Sequence, residues 1–436
     1  MAVYVRVWHC VLTSTAAKGS RDNCAAGQNN FTLIIMGTIS APTDESRRLI
    51  FLDVLRGLAV LAIFAINIKV MFAPFAYYFN QSLWPGEFDM TVAGIQAFVI
   101  EDKWRTIFTM LFGAGIGLMT ARAERYEADS FNLIWRRTFF LAVFGIIHLI
   151  AIWEGDILFL YAAAGAIVIL FRNMTTDKLI KWAAILLAIA FVWMSLFSAA
   201  PALLEVVRNE TAFWLWGEDQ TYLEEITATM RGGVLGHLGE RWVGAKEMIV
   251  WGIFLGGGLV ETAAIMLFGL YFYKIGLFSA AYSRAVYAKM ALLGLGAALF
   301  LDSLRWTALV ASDWSFETFS ILQFMNAADG YAGAIGYTGL VGCLISLGWR
   351  PSTLAAVGRM AFSNYIACSV IGTTLSYGHA GSLYGKLTNL ELMGIVLATW
   401  IAMLIWSPMW LKRYHHGPVE WAWRSLTYLK RQPFRR

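Results

Sequence analysis

Apolar residues run through this chain in stretches of membrane-spanning length, parted by short polar connections. About 20 apolar residues cross the hydrocarbon core as a helix, because a helix satisfies its own backbone hydrogen bonds there. The pattern predicts about ten such spans, near 49–71, 91–120, 133–152, 156–171, 179–200, 248–273, 286–309, 317–347, 353–377 and 391–411. Lysine and arginine concentrate in alternate connections: Arg47 and Arg48 before the first span, Arg122, Arg125, Arg136 and Arg137 between the second and third, Lys412 and Arg413 after the last. Short cytoplasmic loops carry this excess, which places both termini in the cytoplasm. The expected fold is all-α, a polytopic membrane helical bundle.

The same pattern sets the domain organisation. Residues 46–436 read as a single transmembrane helical domain. Its largest outer connection, 201–247, mixes Trp214, Trp216 and Trp242 with Glu210, Glu218, Glu224 and Glu225. That mixture predicts amphipathic helix on the outer interface, where indole rings favour the headgroup level. The segment 412–436 reads as amphipathic and as lying on the inner leaflet. Residues 1–45 lack the basic, apolar and small-residue order of a signal peptide. They read as a disordered tail, or as a leader preceding a true start at Met36.

Composition sharpens the membrane assignment: 58% of residues are hydrophobic, 14% are charged and the mean hydropathy is +0.59. Soluble domains carry about a quarter charged residues. The net charge of +5 sits in short loops and does not point to nucleic acid. Cys10, Cys24, Cys343 and Cys368 show no metal-ligand or paired spacing, and no metal is expected.

Ionisable groups inside spans are costly and mark candidate sites. Asp53 and Arg56 share a helix face near the inner end of the first span, as a membrane-edge ion pair or as a site for an anionic cytoplasmic donor. Asn67 lies about 16 Å further along the axis, as inter-helix glue or a site residue. Glu101, Asp102, Lys103 and Arg105 crowd ahead of Phe108, with Arg105 below the outer surface. Gly113 and Gly117 form a small-xxx-small pair suited to close helix packing.

The sharpest cluster is His148-Leu-Ile-Ala-Ile-Trp153-Glu154-Gly155-Asp156, a tight outer turn. Gly155 frees the turn, Asp156 is placed to cap the next helix, and His148 lies roughly 7–8 Å down the preceding one. A histidine beside carboxylates suits a general base; the alternative is a structural histidine with a capping Asp. Glu261, alone in an apolar run, is expected to be protonated or bound to a partner on a neighbouring helix. Ser363, Asn364 and Tyr365 form a polar patch on a later span, as helix glue or as substrate contacts. His416 to Arg424 close the pattern.

Taken together, Leu52-Asp53-Val-Leu-Arg56-Gly57, Leu111-Phe112-Gly113-Ala-Gly115, His148 with Gly155-Asp156-Ile-Leu-x-x-Tyr161, Gly358-Arg359-Met-Ala-x-x-Asn364-Tyr365 and Gly417-Pro418-x-Glu420-Trp421-x-Trp423-Arg424 resemble the YeiB-like family of bacterial inner-membrane proteins, labelled a domain of unknown function. The resemblance runs from about residue 46 to the C-terminus. That family is distantly similar to the transmembrane acyltransferases, among them bacterial polysaccharide O-acetylases and the lysosomal heparan glucosaminide N-acetyltransferase. Those proteins move an acyl group from cytoplasmic acyl-CoA to an acceptor on the far side. The O-acetylases carry a histidine about eleven residues after the arginine of span one, where this chain has Asn67.

The resemblance implies acyl transfer with acyl-CoA as co-substrate and a glycan or lipid-linked sugar as acceptor, in a multi-pass protein of the bacterial inner membrane. His148 would be the base, oriented by Glu154 or Asp156. Asn67 and Arg105 would stabilise the oxyanion. Arg56, Arg122, Arg125, Arg136 and Arg137 would hold the donor, and Tyr161, Asn364 and Tyr365 would line the substrate. Membrane lipids surround the bundle, and a homodimer is one option for its assembly. Two other readings stand: a small-solute transporter, and a non-catalytic envelope protein.

Overall fold

A computed structural model describes residues 45–125, 129–280 and 282–436. The leader with Met36, Cys10 and Cys24, and the side chains of Arg47, Arg48, Arg125, Glu210 and Trp214, lie outside the described part. Regular structure among the described residues is helical, apart from one bridge between Tyr414 and Arg435.

In chain order the first helices are α1 (Glu45–Phe72), α2 (Asp89–Val99), α3 (Lys103–Arg125), α4 (Ser130–Ala151), α5 (Leu158–Val168) and α6 (Thr176–Leu203). Three shorter ones follow, α7 (Glu205–Leu215), α8 (Gln220–Arg231) and α9 (Val234–Glu247), the last running into a π-helical stretch, Met248–Leu255. Then come α10 (Gly258–Lys274), α11 (Arg284–Ala311), α12 (Phe316–Ser346), α13 (Ser352–Arg359), α14 (Ala361–Ser376), α15 (Asn389–Arg413) and α16 (Pro418–Tyr428).

Among the described residues six helices are long and apolar enough to cross a membrane, and eight when each of two sharply bent pairs forms one span. The protein is thus a multi-pass helical membrane protein. The ten expected spans also include Leu158–Phe171, which is shorter than a span, and Phe316–Ser346, which Asn326 and Asp329 interrupt.

Burial separates a centre from a lipid-facing shell. The apolar window of α1 is 67% buried, whereas those of α6 and α11 are 11% and 22% buried. Exposed Ile189, Val192, Leu292 and Phe300 cover these outer helices, as a hydrocarbon surround requires. At the centre α3 and α10 meet backbone to backbone: a Cβ on Gly113 would strike the Met266 carbonyl, and one on Gly269 the Met110 carbonyl. Gly117 faces Tyr273 and Leu270 of α10, so both members of the small-residue pair serve this contact.

Three breaks shape the interior. The α2–α3 span parts at Ile100–Asp102, where Asp102 takes φ +53°, and its charges fall inside the bundle. The π-helical stretch and α10 bend by 63° at Gly256-Gly257-Gly258. There Gly257 adopts φ +83°, a left-handed conformation glycine holds without steric cost. Helices α13 and α14 bend by 77°, with α13 pressed on α1 where Gly57 and Gly358 leave no room for a side chain.

The 201–247 connection holds both exposed and buried tryptophans. Trp242 is 54% exposed, but Trp216 is only 5% exposed and packs against Phe316 and Phe319. Its indole N–H donates to the Trp314 carbonyl at 3.1 Å. Tryptophan composition alone does not distinguish an exposed anchor from a buried wedge, and Trp216 is the wedge.

Candidate functional site

The last turn of α4 sets the centre of the site. The His148 carbonyl accepts from the backbone N–H of Ile152 at 2.9 Å and of Trp153 at 2.8 Å, which closes the helix. The chain then turns through Gly155, packed against the Trp153 indole. Asp156 caps α5 by accepting from the Phe159 N–H at 2.7 Å on Oδ2. Its Oδ1 lies 2.8 Å from His148 Nδ1, with the His148 and Asp156 side chains 1% and 0% exposed. The contact lacks hydrogen-bond alignment: neither His148 nitrogen nor Asp156 Oδ1 has a hydrogen-bond partner among the described residues. The Tyr365 ring of α14 lies 5.2 Å from the imidazole, and its hydroxyl accepts from the Ile157 N–H at 3.4 Å.

Glu154 turns away from this pair. Its carboxylate accepts from the Tyr377 hydroxyl at 3.4 Å. Arg241 of α9 donates to the terminal carbonyls of α4, Ala151 and Ile152, each at 2.9 Å, where cations suit a helix end. Burial pushes the Glu154 carboxyl above the usual range, opposed by a backbone hydrogen bond and by Arg241. The buried His237 ring lies near those of Tyr377 and His379, at 5.4 and 5.3 Å. Asp156, not Glu154, is therefore the carboxylate that touches His148.

Arg105 closes the outer end of α3. Its Nε lies 2.7 Å from Asp102, and its two Nη atoms lie 3.4 and 3.3 Å from the carboxylate of Glu261 on α10. The Tyr331 hydroxyl donates to the same carboxylate at 2.8 Å. The lone Glu261 thus has its partner on a neighbouring helix. These groups floor a cleft of about 210 Å³, walled by Tyr78, Phe191, Phe324 and Asn326. One turn deeper, the Tyr161 hydroxyl meets Thr109 at 2.6 Å, and Tyr161 joins Tyr365 in one buried cluster. The structure therefore gathers His148, Asp156, Tyr365, Tyr161 and Arg105 along α3, α4, α5 and α14.

The remaining candidates lie apart. Asn364 is fully buried, donates to the Val357 carbonyl at 3.1 Å and Ser407 at 3.2 Å, and accepts from the Trp406 indole at 3.0 Å. It ties the α13–α14 bend to α15. Asn67 is half-buried, and its side chain enters no hydrogen bond among the described residues. At the inner end, Arg56 pairs with Asp53 at 3.3 Å. Arg137 stacks 3.5 Å over the Trp423 ring beside the like charges of Arg424 and Arg56. Arg136 is half-buried with its Nε unpartnered among the described residues, and Arg122 is exposed. Among the described residues no group of three or more His, Cys, Asp or Glu has a metal-holding arrangement.

Sequence reading missed two buried cations. Lys103 contacts Asp302 at 3.1 Å and Asp329 at 3.4 Å, all three side chains at most 2% exposed. Lys69 donates to Gln81 at 3.0 Å and to Gln96 at 3.4 Å. The signal was present: Asp302 and Asp329 are single acids inside apolar helices, which a membrane interior tolerates only with partners.

The family described as "Protein of unknown function (DUF418)" matches residues 272–430. "Uncharacterized protein YeiB" of Escherichia coli (strain K12) is 30% identical over 399 residues, covering 87% of this chain and 96% of that protein. The chain belongs to the YeiB-like family. "Uncharacterized protein YxaH" of Bacillus subtilis (strain 168) is 28% identical over 422 residues, covering 90% of this chain and 97% of its own. Both matches take in the His148 turn and the Arg105 cleft as well as the C-terminal half, where the DUF418 match lies.

Proposed function

We propose that this YeiB-like protein is a transmembrane acyltransferase of the bacterial inner membrane, moving an acyl group from cytoplasmic acyl-CoA to an extracytoplasmic acceptor such as a glycan or lipid-linked sugar. The observation that carries the reading is the buried His148–Asp156 pair, with Nδ1 2.8 Å from a carboxylate oxygen and Nε2 unpartnered among the described residues. A carboxylate that aligns with one imidazole nitrogen favours the tautomer that leaves the other as a base.

In the transfer, Nε2 takes the proton of the acceptor hydroxyl while its oxygen attacks the thioester carbonyl carbon. Collapse of the tetrahedral intermediate breaks the C–S bond, and His148 returns the proton to the departing thiolate. Arg137 precedes His148 by eleven residues on α4, about 16 Å. Arg56, Arg136 and Arg137 would hold the donor phosphates at that inner end while the acyl arm reaches outward. Tyr161 and Tyr365 wall the reacting centre. His148 is fully buried, so entry requires the 152–157 turn or α9 to shift.

A second reading, small-solute translocation, is favoured by the two broken spans beside a polar cleft, an arrangement transporters use at their binding sites. Labelled acetyl-CoA added to inside-out vesicles separates the two. Label recovered in a luminal acceptor, and abolished by His148→Ala, supports transfer. No label transfer and no thermal stabilisation by any acyl-CoA sinks it and leaves translocation.

A further inference from the structure

The charges around the α2–α3 break do not balance. Around the half-buried Tyr78 ring, Glu101, Asp102, Arg105 and Arg305 all lie within electrostatic reach. Lys69, hydrogen-bonded to Gln81 and Gln96, lies within electrostatic reach of Glu101, and Arg105 bridges Asp102 and Glu261. Arg305 of α11 donates to the neutral Gln323, at 3.5 Å. Lys103 alone serves Asp302 and Asp329. Five carboxyls therefore face four cations.

An uncompensated charge at this depth is costly, so one carboxyl holds a proton. Three of the five have partners of their own. Glu261 accepts from Arg105 and from Tyr331. Asp102 accepts from Arg105 Nε and, at 2.5 Å, from the Asn326 amide. Glu101 lies within electrostatic reach of Lys69.

Asp302 and Asp329 remain. They share one ammonium, at 3.1 and 3.4 Å, whose further donor goes to the Ala97 carbonyl at 2.8 Å. Two buried carboxylates on a single ammonium leave one negative charge over, which a shared proton removes. Asp302 Oδ2 and Asp329 Oδ2 are buried with no hydrogen-bond partner among the described residues. Besides Lys103, Asp329 lies near the Asp102 carboxylate and Asp302 near the Tyr337 phenol; Arg305, three residues after Asp302 on α11, gives its hydrogen bond to Gln323.

We propose that Asp302 and Asp329, bridged by Lys103, form a shared proton-binding site inside the bundle. It stands independently of the acyl-transfer reading. Asn326, one turn before Asp329 on α12, lines the 210 Å³ cleft together with Asp102, so the proton sits directly behind that cleft. Its release adds a negative charge there, which makes proton binding and cation binding in the cleft reciprocal.

Infrared difference spectroscopy tests the site on the full-length protein in carbonyl-free detergent, with ¹³C-labelled aspartate carboxyls. At neutral pH the wild type should show a protonated aspartic carbonyl band that is absent from both Asp302→Asn and Asp329→Asn, since removing either acid restores charge balance. Lys103→Met leaves two acids without a cation, and the band should grow about twofold as both protonate. No band in the wild type, or loss in only one of the two Asn variants, overturns the shared site. So does an unchanged band in Lys103→Met.

Discussion

The Glu420 carboxylate holds the first turn of the helix that begins beside Ser363. It accepts from the backbone N–H of Phe362 at 2.7 Å and of Ser363 at 3.0 Å, and from the Ser363 hydroxyl. An anion there meets free N–H groups and the positive end of the helix dipole. Three residues on, Trp423 donates to the Arg137 carbonyl at 2.9 Å and supports the Arg137 guanidinium. The C-terminal segment thus braces α4 and α14, the two helices that carry His148 and Tyr365.

Removing that brace should be measurable. Glu420→Ala is expected to cost roughly 1–2 kcal/mol, the scale of a lost helix cap, and to lower the melting temperature. Glu420→Gln keeps the acceptor oxygen and should cost less. Equal losses in both variants would mean the charge, not the hydrogen bonds, does the holding.

The same segment should be acid-sensitive through His416. Burial, then the like charges of Arg424, His415 and Arg359, lower this imidazole to about 4. Between about pH 6.5 and that value the unfolded chain binds more protons than the folded one, so the stability is full above pH 6.5 and is lost as pH falls towards 4. Glu420 acts with the opposite sign, since burial raises its carboxyl and its contribution declines as pH rises through the interval. Melting curves of wild type and His416→Gln from pH 7 to 4 should converge at low pH if the assignment holds. A constant gap between them contradicts it.

Asp156 separates holding from chemistry. Asp156→Ala loses the α5 cap as well as the His148 contact, whereas Asp156→Asn retains an oxygen for the Phe159 N–H. Under the acyl-transfer proposal, Asp156→Asn should keep the wild-type stability within about 1 kcal/mol and lower turnover by roughly 10²–10⁴. Unchanged turnover in Asp156→Asn removes the dyad from the mechanism.

How far the sequence revealed this site follows from the range of each signal. His148, Gly155 and Asp156 sit close together along the chain, so capping and helix geometry sufficed to bring them together. Glu154 lies in the same turn, yet its partner Tyr377 is 223 positions away, beyond any local rule. The lone Glu261 announced a partner by its cost alone, but only tertiary packing names Arg105. Lys103 looked like one more charge at an outer interface, because the break at Ile100–Asp102 turns on Asp102 taking a positive φ, which aspartate tolerates but does not demand. Broken spans read as continuous ones for the same reason: apolar composition persists through both bends.

The α3–α10 crossing was visible as spaced glycines, and it yields a sharp expectation. Gly113 and Gly269 each abut the partner helix's carbonyls, so Gly113→Ala or Gly269→Ala must push the backbones apart. Each should cost about 1–3 kcal/mol, as overpacked interiors do. The double variant should cost less than the sum, because the first substitution has already opened the gap. A Cβ on Gly115 would meet nothing within 4 Å, and Gly115→Ala is the control, expected to be neutral or stabilising. A destabilised Gly115→Ala alongside unaffected Gly113→Ala would place the crossing elsewhere.

Arg105 and Arg208 give the contrast between a buried and a surface ion pair. Arg105 faces a Glu261 that is 3% exposed, whereas Arg208 faces Glu218 and Glu317, each 44% exposed. Water screens the second set, and Arg208→Ala should cost less than about 1 kcal/mol. Arg105→Met strands a buried carboxylate with only the Tyr331 hydroxyl, at an expected cost of about 3–5 kcal/mol. Glu261→Gln leaves Arg105 its Asp102 contact and should cost less. In the double variant neither charge is stranded against the other, so the pair should show a coupling of roughly 0.5–3 kcal/mol in a double-mutant cycle. Strict additivity in that cycle would mean the two groups do not interact, and that the cleft floor they form is not held by this pair.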